Sequence, residues 1–249
     1  MRHTALRLMI AIVFTIFSIS ILTVEANSAT TEKATTKVAT EKVAKKATTQ
    51  KVVLKDSFNK AYNSFVKKDT KTAAVDVRKN AEFMRLIAEH TTDASREALT
   101  TSAKELDTLA NKIENGTVTS AQTLGDAFAN ASMALAKHYS LKISESLANK
   151  DEKKAGKDFK ATANYLDASL EWAEIEPDKG ATAVMKSAQE IAKKTAKGTK
   201  IEESETSKII NDLNAEIKKV SAKLAVPTKV KETMKTSKTE PAKKPVSGK

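Results

Sequence analysis

The sequence predicts an all-α chain, an antiparallel bundle of about seven helices, on three observations. Only six Gly and four Pro occur among 249 residues, too few for the many turns of a β-sandwich or barrel. The excess of Ala, Lys, Thr and Glu points to helix. Apolar residues recur at spacings of three and four, and no segment of useful length alternates with period two.

The helices follow in order. The first, 52–67, carries Leu54, Phe58, Ala61, Tyr62 and Phe65. Asp69 or Thr70 caps a second, built on Val77, Ala81, Met84 and Ala88, because a short polar side chain accepts from the free amides of the first turn. Asp93 opens a third, with Leu99, Leu106 and Ile113 seven apart and Ala103 and Ala110 between them. Asn115-Gly116 ends it, glycine supplying the left-handed residue past the helix. Thr119 or Ser120 starts a long fourth, whose stripe is Leu124, Phe128, Ala131, Leu135, Tyr139, Ile143 and Leu147. Asp151 opens a fifth on Phe159, Ala163, Leu166, Leu170 and Ala173, closed before Pro177. A short sixth runs through Ala181, Val184, Ala188 and Ile191 to a stop near Gly198. A seventh, 202–224, presents a heptad-like seam of Ile210, Leu213, Ile217, Val220 and Leu224.

A multi-helix unit recurs inside this pattern. Residues 64–89 align with 146–171 at an offset of 82: Lys68-Asp69 meets Lys150-Asp151, and Lys71, Ala73, Asp76, Ala81 and Glu89 meet Lys153, Ala155, Asp158, Ala163 and Glu171. After a small gap, 102–106 resembles 187–191, and the offset returns to 82 where Gly116-Thr117 meets Gly198-Thr199. Collinear matches of this kind point to a duplication. The expected organisation is a signal peptide at 1–26, a Lys/Thr/Ala-rich disordered linker at 27–51, a helical domain at 52–224 in two repeats of about 57–139 and 140–224, and a Lys/Pro-rich disordered tail at 225–249.

Residues 1–26 have the layout of an export signal: Arg2 and Arg7 ahead of an apolar run, then Val24-Glu25-Ala26 before a cleavage point at Asn27. An uncleaved membrane anchor is the alternative; cleavage leaves no stable membrane span. No Cys is present. That excludes disulfides, zinc–thiolate and iron–sulfur sites, and lipid attachment through a cysteine.

The formal charge of +12 is uneven. Residues 27–55 and 225–249 each carry seven Lys against two Glu, whereas 56–224 hold 27 basic and 26 acidic residues. The lysines of the arms, Lys33, Lys37, Lys42, Lys45 and Lys46 on one side and Lys229, Lys231, Lys235, Lys238, Lys243 and Lys244 on the other, are the candidate contacts to a polyanion. The candidates are nucleic acid, lipopolysaccharide or a cell-wall polymer. The arms lack aromatic residues for base stacking and Arg for bidentate phosphate contacts. Solubilising spacers are the other reading of such runs. The nearly neutral core is expected to add little.

The stretch Leu147-Ala148-Asn149-Lys150-Asp151-Glu152-Lys153-Lys154-Ala155, behind a signal peptide and ahead of an Ala/Leu stripe, resembles the helical hairpins of the YfdX-type periplasmic proteins. The resemblance covers the two hairpins and leaves the Lys-rich arms outside. It implies a soluble, oligomer-forming helical protein linked to envelope stress, with no known catalytic residues.

Catalytic material is sparse. His90, near a helix end, suits either a metal or the helix dipole. His138, on or beside the fourth stripe, suits either an interior haem or metal, or a hydrogen bond to a neighbouring helix. No Glu-x-x-His pair, Gly-rich phosphate loop or Gly-x-Ser-x-Gly elbow occurs. Asp76, Asp158, Glu89 and Glu171 are expected to pair with Lys on wet helix faces, Asp158 with Lys154. Trp172 is expected either to plug the end of the bundle or to anchor a partner. No cofactor, metal or small-molecule substrate is expected. The sequence therefore points to an exported, non-enzymatic interaction or structural module of the bacterial envelope. Its expected partners are a second copy of itself, an envelope protein or a polyanion.

Overall fold

Seven helices account for almost all of the backbone described by the computed structural model, which covers residues 53–91 and 93–225. They are α1 (Val53–Val66), α2 (Thr70–Glu89), α3 (Asp93–Glu114), α4 (Ala121–Ala148), α5 (Glu152–Trp172), α6 (Lys179–Ala196) and α7 (Glu203–Leu224). No strand occurs among the described residues. Residues 1–26, expected to be a signal peptide, and most of both Lys-rich flanks lie outside them.

The helix ends follow from local chemistry. Asp69, Ser120, Asp151 and Asp178 accept the amides of Thr72, Gln122, Lys154 and Ala181, which satisfies donors that a helix N-terminus leaves open. Asp178 also pairs with Lys219 of α7, and that hydrogen bond, with the amide of Ala181, holds its carboxyl down at about 2. Two turns are closed by lysines with positive φ, Lys68 at 65° and Lys150 at 55°. Each makes the same pair of bonds: Lys68 N–H to Phe65 O and Asp69 N–H to Ser64 O at 2.9 Å, then Lys150 N–H to Leu147 O and Asp151 N–H to Ser146 O at 2.9 Å. Gly116 and Gly198, with φ of 68° and 73°, close α3 and α6 in matching fashion, through Thr117 N–H to Lys112 O and Thr199 N–H to Lys194 O. Left-handed backbone costs a non-glycine residue roughly 1–2 kcal/mol. The two lysines are held there because the reversed chain satisfies carbonyls that the helix end leaves free.

Helix α4 is the element the others pack on: α1, α3, α5 and α7 all contact it, while α2 packs on α1 and α3, and α6 on α5 and α7. The sequence stripe places one face of α4 inside. In the structure Ala131, Ser132, Met133, Ala134, Leu135 and Ala136 are buried consecutively, so the whole circumference is covered there. Small side chains make this geometry attainable, because they let several neighbours reach the same stretch of helix. The hydroxyls that come with them are used as links. Ser169 donates to Ala129 O at 2.9 Å, Ser140 to Asn214 Oδ1 at 2.6 Å and Ser146 to Asp158 Oδ2 at 3.0 Å. At one end Phe58 stacks on Phe128 at 4.5 Å, and Trp172 meets Phe128 edge-on at 5.1 Å and Tyr62 at 5.4 Å. Trp172 thus packs inward, as a plug does.

Two glycines mark the closest approaches. A Cβ on Gly125 would lie 2.9 Å from Trp172 O, and one on Gly156 would overlap Thr195 Oγ1. Thr195 can sit so near α5 because its hydroxyl turns back to Ile191 O and Ala192 O, both at 3.0 Å.

Two details differ from the sequence reading. The α7 seam runs through Ile209, Leu213, Ile217 and Val220, and Ile210 is only half-buried beside it. Asp76 and Asp158 are not on wet faces: they are 2% and 5% exposed. Asp76 reaches out to Lys79 at 2.9 Å and Lys60 at 3.4 Å, and Asp158 is bonded by Ser146. Burial next to a hydrogen-bonding neighbour overrides the simple pairing of lysine with acid along one helix.

Two stability measurements check this packing. Gly156→Val should lower unfolding free energy by about 1–3 kcal/mol, since α5 and α6 must separate to admit the side chain. Urea denaturation reads the change, and an unaltered midpoint would mean the two helices do not touch there. Leu213→Asp should cost several kcal/mol, an unpaired charge in an apolar site, and Ile210→Asp clearly less. Equal melting temperatures for the two variants would contradict the seam.

Candidate functional site

The lysines of the arms named above lie outside the described residues. Of the other candidates, His90 is the exposed cap residue of α2, its backbone N–H bonded to Ile87 O. His138 is 5% exposed, shares a 3.1 Å hydrogen bond with Thr91 Oγ1 through Nδ1 and lies edge-on to Tyr139 at 4.9 Å. Thr91 is fixed in turn by Arg96, which donates to Thr91 O at 2.9 Å and Ala88 O at 3.3 Å. His138 therefore ties α4 to the loop between α2 and α3. Tyr139 stacks on Tyr165 at 5.6 Å, and burial pushes both phenols far above their ordinary range. This interior is polar but neutral in its phenols. Among the described residues no three His, Asp or Glu side chains converge as metal ligands do.

The charged feature that the fold does assemble lies between α5 and α6. Lys153, Lys157 and Lys160 stand at i, i+4 and i+7 on α5, one face of the helix. Lys193 of α6 faces them across a groove of about 480 Å³, with Gln189, Ala192 and Ala196 beside it and Gly156 and Thr195 in its lining. All four lysines are exposed, and no acidic side chain lines the groove. Lys153 occupies the first turn of α5, the positive end of the helix dipole, where a cation is disfavoured. The contact of Gly156 with Thr195 sets the width, because it brings the two helix axes close enough for lysines of both to share one space.

The hairpin of α2 and α3, whose turns make the same hydrogen bonds 82 residues earlier, carries paired charges instead. Arg78 donates to Asn111 Oδ1 at 2.8 Å and pairs with Glu114, and Arg85 pairs with Asp107. At the positions 82 residues later stand Lys160, Lys193, Ala196, Asp167 and Gln189. Lys160 stands where Arg78 does and Asp167 where Arg85 does, while Ala196 and Gln189 stand in place of the carboxylates of Glu114 and Asp107 and Lys193 in place of Asn111. Among the described residues, Lys153, Lys160 and Lys193 have no carboxylate within ion-pair distance.

The signal for this site was partly present in the sequence. Lys153, Lys157 and Lys160 share a helical face on spacing alone. What spacing does not give is that Lys193 sits opposite and that the acids nearby point elsewhere: Asp158 inward to Ser146, and Glu205 to Lys194 at 2.7 Å. The near-zero net charge of the core conceals this segregation. No protein-family model, curated protein or solved structure matches the chain.

Proposed function

We propose that the protein is an exported, non-enzymatic interaction module of the bacterial cell envelope that binds an anionic polymer along the α5–α6 groove, its Lys-rich arms adding charge. Four exposed lysines converging on one groove, of which Lys153, Lys160 and Lys193 have no carboxylate within ion-pair distance among the described residues, carry this reading. Surface lysines in the companion hairpin's position would be expected to carry partners if their role were stability alone, as Arg78 and Arg85 do. Lysine is a point charge without a fixed fork, so it reads charge density and not base or sugar identity. Phosphate-rich or sulfated chains of any sequence fit, among them nucleic acid, lipopolysaccharide and cell-wall polymer. Export rests on residues 1–26, and the envelope setting on that segment together with the YfdX-like hairpin at 147–155.

The helices also support a bundle built by duplication of one unit. Matching turns at Lys68 and Lys150 and at Gly116 and Gly198, matching caps at Asp69 and Asp151, and matching burial of Asp76 and Asp158 all fall 82 residues apart. The burial of Leu99, Ser102, Ala103 and Leu106 likewise returns at Ala181, Val184, Met185 and Ala188, so the offset holds through α3 and α6 without a gap. On this reading one copy carries a face of paired charges and the other a basic groove.

The test is a salt titration of binding to heparin and to random-sequence DNA. Replacing Lys153, Lys157, Lys160 and Lys193 together by Gln should lower affinity and reduce the slope of log affinity against log salt by up to about 4. A control that replaces Lys104, Lys112, Lys218 and Lys223, all exposed, changes net charge equally and should lose much less. Equal losses in both variants would leave only the total charge and remove the groove from the account. An absence of binding at low salt would remove polyanion binding altogether.

A further inference from the structure

A second groove, of about 460 Å³, opens where α3 and α7 both lean on α4. Its lining is mixed: Ala98 of α3, Met133 and Ala134 of α4 and Leu224 of α7 supply apolar surface, and Thr101, Ser102 and Asn130 polar surface. Its charged rim consists of Glu97 and Glu105 on the α3 side and Lys137 on the α4 side. None of these three has an ion-pair partner among the described residues. Ser221, on the α7 wall, has a hydroxyl shielded from water and without a hydrogen-bond partner. Leu224 and Ala225 line the groove as α7 ends, so the chain leaves the helix at its mouth.

We propose that this groove is the docking site of the chain's own segment 226–235. The residues that follow Ala225 are Val226-Pro227-Thr228-Lys229-Val230-Lys231-Glu232-Thr233-Met234-Lys235. Pro227 stops α7 from continuing past the groove. Val226, Val230 and Met234 supply apolar side chains for the apolar part of the lining. Lys229, Lys231 and Lys235 complement Glu97 and Glu105, and Glu232 complements Lys137. Length also fits. The α3 wall from Ala94 to Glu105 rises about 17 Å, and ten extended residues reach about 33 Å. Because the segment is tethered at the rim, its effective concentration is high and a modest intrinsic affinity suffices. Docking neutralises the proximal lysines of the tail and leaves Lys238, Lys243 and Lys244 as the tail's contacts to a polyanion.

Limited trypsin digestion of the full chain, followed by mass spectrometry, tests the proposal. Each cleavage rate is divided by that of the same bond in a free peptide of residues 226–249. In the unaltered chain at low salt, cutting after Lys229, Lys231 and Lys235 should be suppressed about tenfold more than cutting after Lys238 or Lys243. The exposed-site double variant Glu97→Lys, Glu105→Lys should release that suppression, and so should about 0.5 M NaCl on the unaltered chain. Uniform rates along the tail of the unaltered chain would overturn the proposal. So would suppression that survives both perturbations, since nearness to α7 alone would then explain it. Suppression that rises with protein concentration would assign the groove to a second copy and overturn it equally.

Discussion

The structure depends on the burial of α4, which is complete around the helix from Ala131 to Ala136. A stretch of helix can be enclosed on every side only if its side chains are small or its neighbours are held away. Here the stretch Ala129 to Ala136 is half alanine, with one serine, one methionine and one leucine beside a single exposed Asn130. Four helices can therefore reach it. The cost of such a helix is that little apolar area is contributed per residue, and the larger side chains at its ends compensate: Phe128 against Phe58 and Trp172 at one end, Tyr139 against Tyr165 towards the other. Serine hydroxyls add links that alanine would not, as at Ser140 and Asn214.

The same arrangement decides where grooves can exist. Helices that pack on α4 from different directions diverge from one another, and the space between α3 and α7 is such a divergence. Helix α6 stands outside this first ring, on α5 and α7, held by Lys194 with Glu205 and by Asp178 with Lys219. Its groove against α5 is therefore at the surface and is set by one close contact, Gly156 with Thr195. In the α2–α3 hairpin the corresponding surface is occupied by ion pairs. In the α5–α6 hairpin like charges are brought together, an arrangement that costs stability and that the proposed binding role would account for.

Helix limits were legible because they rest on local chemistry. Asp69, Ser120 and Asp151 accept first-turn amides and Gly116 takes positive φ, and each of these signals needs only a few neighbouring residues. Leu99, Leu106 and Ile113 are fully buried as their sevenfold spacing predicts. The departures all need a neighbour that the sequence does not name. Ile209 replaces Ile210 in the seam because the position of α4 and α6 decides which of two adjacent isoleucines is covered. Asp158 is inside because Ser146 of the preceding helix is there to bond it. Lys193 joins Lys153, Lys157 and Lys160 only through the packing of α6 on α5. The site was thus half readable, as a stripe on one helix, and the half that makes it a groove belongs to tertiary structure.

Hydrogen–deuterium exchange of the full chain, with and without a heparin fragment, tests the account most directly. Without ligand, the amides of α4 from Leu124 to Ile143 should exchange most slowly of all, since their opening requires the whole set of helices to part. With heparin, added protection among the helices should appear in the first half of α5 and the second half of α6 and not in the matching parts of α2 and α3. Slow exchange centred on another helix would contradict the role of α4. Equal added protection on both hairpins, or on neither while heparin is bound, would contradict the basic groove.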